Sequence, residues 1–442
     1  MGWVYMKKWK GAGLAAAMAI VLLTAGCGGG NESGAKTEGN ALAGGDKPTE
    51  PAKPVKLLVI TPQGGNMEWF MSRYGSQIQK KYPHYEFEVV ESVGSNVQNL
   101  VTEQRKVDLI ISSVNNYRSS LLELYGGDIS DLIVKQKYDL SRLEPSYVEA
   151  AKVDGKKQNG LPLYDLRLTL YYNKDIFDKF GVPYLKNHMS WEEVAEVATK
   201  LTRSDGGVQY RGFVASPNPL LVVNPLSIPY TDVLGEKAVL QTDQWKSWIN
   251  TLLPLYKAPG YDAKLLNDAR NVFVKEKTSA MFLAFNSDAP KPEENMNWDA
   301  ASLPELKSLP GVGSQPYPVI ITVAPTSQHR DESFQSIAQL LTDEVQTAIT
   351  SDFAAITPLK SQAVKEAFGR NVAQWKGKNV SAIAALKPAA PARAGVFDSN
   401  ATGAMNSAVM SVIAGETDLN SALRTAEEQA TKKIAEAIQM KK

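Results

Sequence analysis

The sequence predicts an α/β protein with two domains. Strand-like apolar runs alternate with segments of helical periodicity, beginning with the run 55–61 and the helical pattern 69–81. The run 107–111 is apolar at nearly every position, which is typical of a strand buried on both faces of a mostly parallel sheet. About 390 residues follow residue 54. A single hydrophobic core stops growing at about 250–300 residues, so we expect two domains.

Local patterns predict the other elements. Residues 85–91 alternate in polarity as a strand does, and residues 168–172 form a further β-rich run. Ser190 and Glu193 form a capping box, because each side chain can satisfy a free backbone amide near the start of a helix. That helix is expected to run to about residue 202. The later chain predicts helices over 242–256, 263–273, 331–351 and 419–439, and a strand over 319–324.

The N-terminal pattern is typical of a bacterial lipoprotein signal peptide. Three lysines precede the apolar run 12–23, which is shorter than the roughly 20 residues that a membrane-spanning helix needs. Thr24-Ala25-Gly26-Cys27 resembles the lipobox that precedes lipidation, except that Leu usually stands where this chain has Thr24. We expect residues 1–26 to be removed and Cys27 to carry the lipid. Residues 27–54 are then a flexible tether on the extracytoplasmic face of the membrane.

Composition excludes several classes of function. The formal net charge of +1 gives no electrostatic reason to expect a nucleic-acid partner. One cysteine and three histidines allow neither a disulfide framework nor a thiolate metal cluster, and we expect no metal or cofactor. The chain contains no His-Glu-x-x-His, Gly-x-Ser-x-Gly or phosphate-loop motif, so we expect no enzymatic activity. A glycoside hydrolase stays an alternative, because its two carboxylates need no sequence motif.

Several short motifs follow one another along the chain. They are Leu161-Pro162-Leu163-Tyr164, the run Leu170 to Phe177, Ser190 to Glu193, Leu201-Thr202-Arg203, Ala280-Met281, Leu341 to Gln346, and Pro358-Leu359-Lys360. In this order they resemble the family 1 extracellular solute-binding proteins of bacterial ABC transporters. The resemblance spans the chain from about residue 55 to its end.

The resemblance implies a two-lobed periplasmic-binding-protein-like fold of type II. Each lobe would be a mostly parallel sheet flanked by helices, and a hinge would join the lobes. Lobe 1 would comprise 55–165 and 316–355, and lobe 2 would comprise 166–315 and 356–442. Members of the family mostly capture sugars and oligosaccharides between the lobes and deliver them to ABC permease subunits. We therefore expect a monomeric carbohydrate-binding protein; a non-sugar solute, or delivery to a surface sensor, stays open.

Lobe 1 offers polar side chains where its strands end. Ligands of α/β sheets bind beyond the carboxyl ends of the strands. Gln63 and Asn66 follow the first strand, and Ser112, Ser113 and Asn115 follow the third. Planar amides and hydroxyls suit sugar hydroxyl groups. The alternative is a set of polar turns that never contact ligand.

Tyr164 and Asp165 open the first crossing segment, where members of the family commonly place a ligand contact. Asp165 could accept hydrogen bonds from two ligand hydroxyl groups, or it could pair with Arg167. Both interpretations remain open at this point.

Lobe 2 offers Phe285, Asn286 and Ser287 in the strand and loop where sugar-binding members often carry Trp. Because no Trp follows here, Phe285 is the nearest ring. Tyr230 lies in an irregular loop and could supply the missing aromatic surface, or it could pack in the core.

Overall fold

The computed structural model describes residues 53–257, 261 and 263–440. The predicted signal peptide, Cys27 and the tether up to residue 52 lie outside this part of the chain. The strands of the described residues are β1 (Val55–Thr61), β2 (Tyr85–Glu91), β3 (Leu109–Ser113), β4 (Leu161–Asp165), β5 (Leu168–Asn173), β6 (Arg203–Asp205), β7 (Val208–Tyr210), β8 (Met281–Phe285), β9 (Trp298–Ala301) and β10 (Pro318–Val323).

The α-helices of the same residues are α1 (Met67–Phe70), α2 (Ser76–Lys81), α3 (Asn96–Thr102), α4 (Val114–Asn116), α5 (Leu122–Tyr125), α6 (Ser130–Lys135), α7 (Pro145–Ala150), α8 (Lys174–Phe180), α9 (Trp191–Leu201), α10 (Pro217–Val222), α11 (Asp243–Tyr256), α12 (Ala269–Val274), α13 (Arg330–Leu340), α14 (Asp343–Phe353), α15 (Gln362–Lys365), α16 (Ser381–Ala384), α17 (Asp398–Ile413) and α18 (Leu419–Met440).

Lobe 1 is built on a five-stranded sheet in the order β2-β1-β3-β10-β4. β1 pairs in parallel with β2 and β3, whereas β10 runs antiparallel to β3 and β4. Alternate residues of β1 enter different cores: Leu57 and Val59 pack on one face, and Leu58 and Ile60 pack on the other. This confirms the prediction of a sheet covered on both faces.

Lobe 2 is built on a three-stranded sheet in the order β8-β5-β9. Both pairings of β5 are antiparallel, so the expectation of a mostly parallel sheet in each lobe is wrong for this one. An apolar strand pattern reports burial but carries no information about strand direction. The largest core of the lobe contains Trp191, Trp245 and Trp248, which are almost fully buried.

Local capping explains where the predicted helices begin and end. The Ser190 amide donates to Glu193 Oε2 at 2.7 Å, and the Glu193 amide donates to Ser190 Oγ at 3.2 Å, so the predicted capping box is present at the start of α9. The prediction of a single helix over 331–351 is wrong, because two helices stand there: α13 ends at Leu340 and α14 begins at Asp343. Thr342 caps the second helix by accepting a hydrogen bond from the Val345 amide.

The helix α18 extends over 22 residues near the C-terminus. One side of it packs into the main core of lobe 2 through Ala422, Leu423, Ala426, Ala430 and Ile434. Among the helices of the described residues, none combines the length and the apolar character needed to cross a membrane.

Candidate functional site

A cavity of about 340 Å³ lies where the two lobes meet. Lobe 1 contributes the residues that follow β3 and α7. Lobe 2 contributes the end of α10, the loop around Tyr230 and the start of α17, and the crossing segment 315–317 closes one side. Clefts of about 300–1,000 Å³ are typical of small-molecule sites, so this cavity is at the small end of that range.

The end of β3 places Asn115 and Arg118 in the cavity wall. Ser113 caps α4 by accepting a hydrogen bond from the Asn116 amide at 3.3 Å. A π-helical turn, Tyr117–Leu121, follows and carries Arg118. Such turns are rare and are frequent at functional sites. Burial lowers the pKa of Arg118, and the nearby carboxylate of Asp398 opposes that change.

Asp398 opens α17 on the opposite lobe and faces Arg118. Its Oδ1 accepts a hydrogen bond from Thr231 Oγ1 at 2.8 Å, and its Oδ2 accepts one from the Gly395 amide at 2.8 Å. Arg118 Nη1 and Asp398 Oδ2 lie 4.0 Å apart. The wall of the cavity therefore holds a cation and an anion from different lobes.

Two tyrosines give the cavity its aromatic surface. Tyr317 stacks on Phe285 with ring centroids 5.0 Å apart. Burial raises the pKa of Tyr317, and the side chains of Ser113, Arg118 and Asn115 oppose this rise, so these side chains lie near its hydroxyl group. Tyr230 lines the cavity while packing against the Trp245 ring at 5.0 Å. Aromatic faces suit the C–H surface of a sugar.

The predicted residues of lobe 1 divide into two groups. Asn115 lines the cavity and Ser113 lies close to Tyr317. Ser112 is buried and accepts a hydrogen bond from Asn116 Nδ2 at 2.9 Å. Gln63 and Asn66 are exposed and do not line the cavity. Asn66 caps α1 by accepting a hydrogen bond from the Trp69 amide at 2.9 Å, so its side chain stabilises the start of this helix.

Asp165 has a different environment from the one proposed for a ligand contact. It is fully buried; Oδ2 accepts from Arg167 Nε at 3.3 Å and Oδ1 accepts from the Tyr317 amide at 2.8 Å. Its amide donates to the Ile356 carbonyl at 2.8 Å. Of the two interpretations, the structure shows the ion pair. Tyr164 packs against the core of lobe 1 and does not line the cavity.

Asn286 also joins crossing segments. Its Oδ1 accepts from the Arg167 amide at 2.9 Å, and its Nδ2 donates to the Ala354 carbonyl at 3.1 Å. Ser287 is exposed and does not line the cavity. Phe285 does not line the cavity; its ring packs against the ring of Tyr317, which does.

Sequence reasoning missed Arg118, Asp398, Gln315 and Tyr317 in the lining. A signal existed for Arg118, because it is a cation close to the polar end of β3. None existed for Asp398, whose position depends on packing between distant parts of the chain. In the described part of the chain, no group of three or more His, Cys, Asp or Glu side chains is arranged to hold a metal ion.

A close contact between the lobes lies in the lining of the cavity. Gly155 has a positive φ of +75° in the turn after Asp154. A Cβ atom at this position would lie 2.6 Å from the carbonyl oxygen of Ala394. Real Cβ contacts are longer, so only glycine allows the lobes to approach this closely.

Two α/β lobes with a polar and aromatic cavity between them define a solute-binding architecture. A sequence model of the bacterial extracellular solute-binding proteins matches residues 62–347, which is more than half of the chain. The chain belongs to this family.

Solved structures show the same fold at low sequence identity. A sugar transporter protein from Rhizobium etli in an open conformation is 19% identical, with a TM-score of 0.68 over 85% of this chain and 99% of that one. An ABC substrate-binding protein from Listeria monocytogenes, in complex with cycloalternan, is 14% identical, with a TM-score of 0.66 over 86% and 99%. The sugar-binding protein MalE from Xanthomonas citri is 15% identical, with a TM-score of 0.65 over 87% and 99%.

The first prediction concerns Asp165. Asp165→Ala leaves the half-buried Arg167 without its carboxylate, and breaking a buried pair costs about 3–5 kcal/mol of unfolding free energy, which is the upper limit here. We expect this loss in urea denaturation of the ligand-free protein. The control Asp205→Ala removes an exposed ion pair with Lys179 and should change little. Equal stability of Asp165→Ala and the control would contradict the structural role of Asp165.

The second prediction concerns Gly155. Gly155→Ala should hold the lobes apart and weaken ligand binding, measured by small-angle X-ray scattering and by calorimetry. Gly415→Ala is the matched control, because its φ of +74° causes the same backbone strain while its Cβ would meet nothing within 4 Å. If both variants have the same radius of gyration and affinity, the contact with Ala394 does not limit closure.

Proposed function

We propose that this protein captures a carbohydrate between its lobes and delivers it to an ABC importer. The observation that carries the proposal is the cavity, where charged groups and two tyrosines from both lobes surround one small volume. Charged and amide side chains can hold the edge of a sugar ring, and tyrosine can hold its face. Family membership supports the same class of function.

The similar structures support a saccharide as ligand. The Listeria protein holds cycloalternan, and the Xanthomonas and Rhizobium proteins are described as sugar-binding and sugar-transporting. A cavity of about 340 Å³ suits one or two sugar units. In a longer oligosaccharide, only those units would be enclosed.

Capture would work by a shift in population. A ligand that contacts both lobes favours the closed form over the open one, because only the closed form offers all of its contacts. The permease would then distinguish the closed protein from the open one. No covalent step is involved in this proposal. The two acids of the lining are already engaged: Glu149 pairs with Lys152 at 2.7 Å, and Asp398 accepts two hydrogen bonds within its own lobe.

The anchor and the domain boundaries are part of the proposal. We propose that residues 1–26 are cleaved, that Cys27 is lipidated and that the mature protein is a monomer at the outer face of the membrane. The lobe boundaries at 165/166, 315/316 and 355/356 stay predictions. The hydrogen bonds around Asp165, Tyr317 and Ile356 support them, because they lie beside these three crossings.

The third prediction is a melting-temperature screen of the mature chain with Cys27→Ser. Saccharides from one to several units, amino acids, polyamines and phosphate are tested. A true ligand at a hundred times its Kd adds about 2.7 kcal/mol of stability, which raises the Tm clearly. We expect a shift with one saccharide series. A shift only with a non-sugar would discard the carbohydrate assignment, and no shift with any compound would count against solute capture.

The fourth prediction concerns Cys27. In a bacterial host, Cys27→Ser should move the protein from the membrane fraction to the soluble fraction, because the lipid-bearing thiol is lost. Incorporation of labelled palmitate should disappear at the same time. Ser33→Ala, in the same tether, is the control and should leave both unchanged. Membrane retention of Cys27→Ser would show that something other than a lipid at Cys27 holds the protein there.

A further inference from the structure

The oppositely charged pair Arg118 and Asp398 lines the cavity. It joins the two lobes across the cavity, and its nearest nitrogen and oxygen are 4.0 Å apart. A direct charge-assisted hydrogen bond measures about 2.7–2.9 Å. The two groups therefore face each other without making a hydrogen bond.

Each group is held in place by its own lobe. Arg118 Nε donates to the Val153 carbonyl at 3.0 Å, and Nη1 donates to Asn115 Oδ1 at 3.4 Å. Asp398 is held by Thr231 and by the Gly395 amide. Neither side chain needs the other to fix its orientation, so both are positioned before a ligand arrives.

Both groups are largely removed from water. The side chain of Arg118 is 14% exposed and that of Asp398 is 6% exposed. A guanidinium has five N–H donors, and within the described residues only Nε and Nη1 of Arg118 donate hydrogen bonds. An acceptor that enters the cavity can form hydrogen bonds with the unused donors of this nearly buried cation, and these bonds stabilise the complex.

We propose that one hydroxyl group of the ligand bridges Arg118 and Asp398, which makes the site selective for uncharged saccharides and polyols. A hydroxyl oxygen accepts from the guanidinium and donates its own proton to the carboxylate, and a gap of 4.0 Å admits an oxygen at about 2.8 Å from each. This inference rests on the proposed function and names the class of ligand for that same site.

Charged sugars fit the pair less well. At the bridging position, the carboxylate of a uronic acid would accept from Arg118 but lie against Asp398 with no proton to donate, and the ammonium group of an amino sugar would donate to Asp398 but lie against Arg118 with no lone pair to accept. Like charges at close range oppose binding strongly where water is excluded. The bridging hydroxyl group contacts Arg118 of one lobe and Asp398 of the other. Its binding therefore also favours the closed form.

The test compares matched sugars. D-glucose, D-galactose and D-mannose, each with its uronic acid and its 2-amino-2-deoxy form, are titrated into the mature chain by calorimetry. The neutral saccharide with the largest shift in the melting screen is added to the set. We expect the neutral form to bind tightest within its series. Tighter binding of a uronic acid or an amino sugar would overturn the inference and leave saccharide capture standing.

Two variants reverse the charge balance of the pair. Asp398→Asn leaves Arg118 unopposed, so the uronic acid should gain affinity relative to the neutral sugar. Arg118→Gln leaves Asp398 unopposed, so the amino sugar should gain. Each variant should bind the neutral sugar about ten- to a hundredfold more weakly, because a hydrogen bond to a charged group is lost. The controls Asp205→Asn and Arg142→Gln make the same charge changes on the surface and should alter neither property.

The ligand-free melting temperature of each variant shows whether it folds, and Arg118→Lys retains the charge if Arg118→Gln does not fold. Unchanged affinity of the folded Arg118 and Asp398 variants for the neutral sugar would overturn the inference. If no saccharide binds to the wild-type protein, the proposed function fails and this inference fails with it.

Discussion

The buried ion pair of Asp165 and Arg167 is the constraint on which the relation of the two lobes depends. The Asp165 carboxylate accepts a hydrogen bond from the Tyr317 amide, and the Asp165 amide donates to the Ile356 carbonyl, so one residue ties together the three segments that we propose as crossings between the lobes. Arg167 extends the network through its own amide to Asn286. Charges taken out of water are stable only when they are fully paired. The network therefore fixes the crossing strands, and through Tyr317 it fixes one wall of the cavity.

The hinge and the cavity use charge in opposite ways. At the hinge, the partners lie within hydrogen-bond distance and belong to neighbouring segments, so the network is complete without ligand. In the cavity, Arg118 and Asp398 belong to different lobes and stay 4.0 Å apart. A complete network makes a rigid pivot. In the cavity, the hydrogen bonds between the two charged groups are not formed, and a bound group can form them with both lobes at once. In this way a ligand can favour one arrangement of the lobes over another.

The candidate site is built on regular secondary structure in both lobes. Arg118 follows a buried strand of lobe 1, and Asp398 begins a helix of 16 residues in lobe 2. Tyr317 is supported by Phe285, and Tyr230 by Trp245. Arg118, Asp398 and Tyr230 are therefore positioned within their own lobes, and Tyr317 is positioned by Phe285 of lobe 2. Little has to be reorganised when a ligand enters, which limits the entropic cost of binding.

The sequence by itself determined the elements and the family, because these depend on patterns among neighbouring residues. The two-faced burial of β3, the capping box of α9 and the polar end of β3 with Asn115 could all be predicted in this way. The sequence offered Asp165 either a ligand or Arg167 as partner and could not choose between them, since Tyr317 and Ile356, which complete the surroundings of the ion pair, lie far along the chain. The antiparallel direction of the lobe 2 sheet and the meeting of Arg118 with Asp398 were decided only by the tertiary structure. Contacts between distant segments follow from how whole elements pack, and no local pattern records that packing.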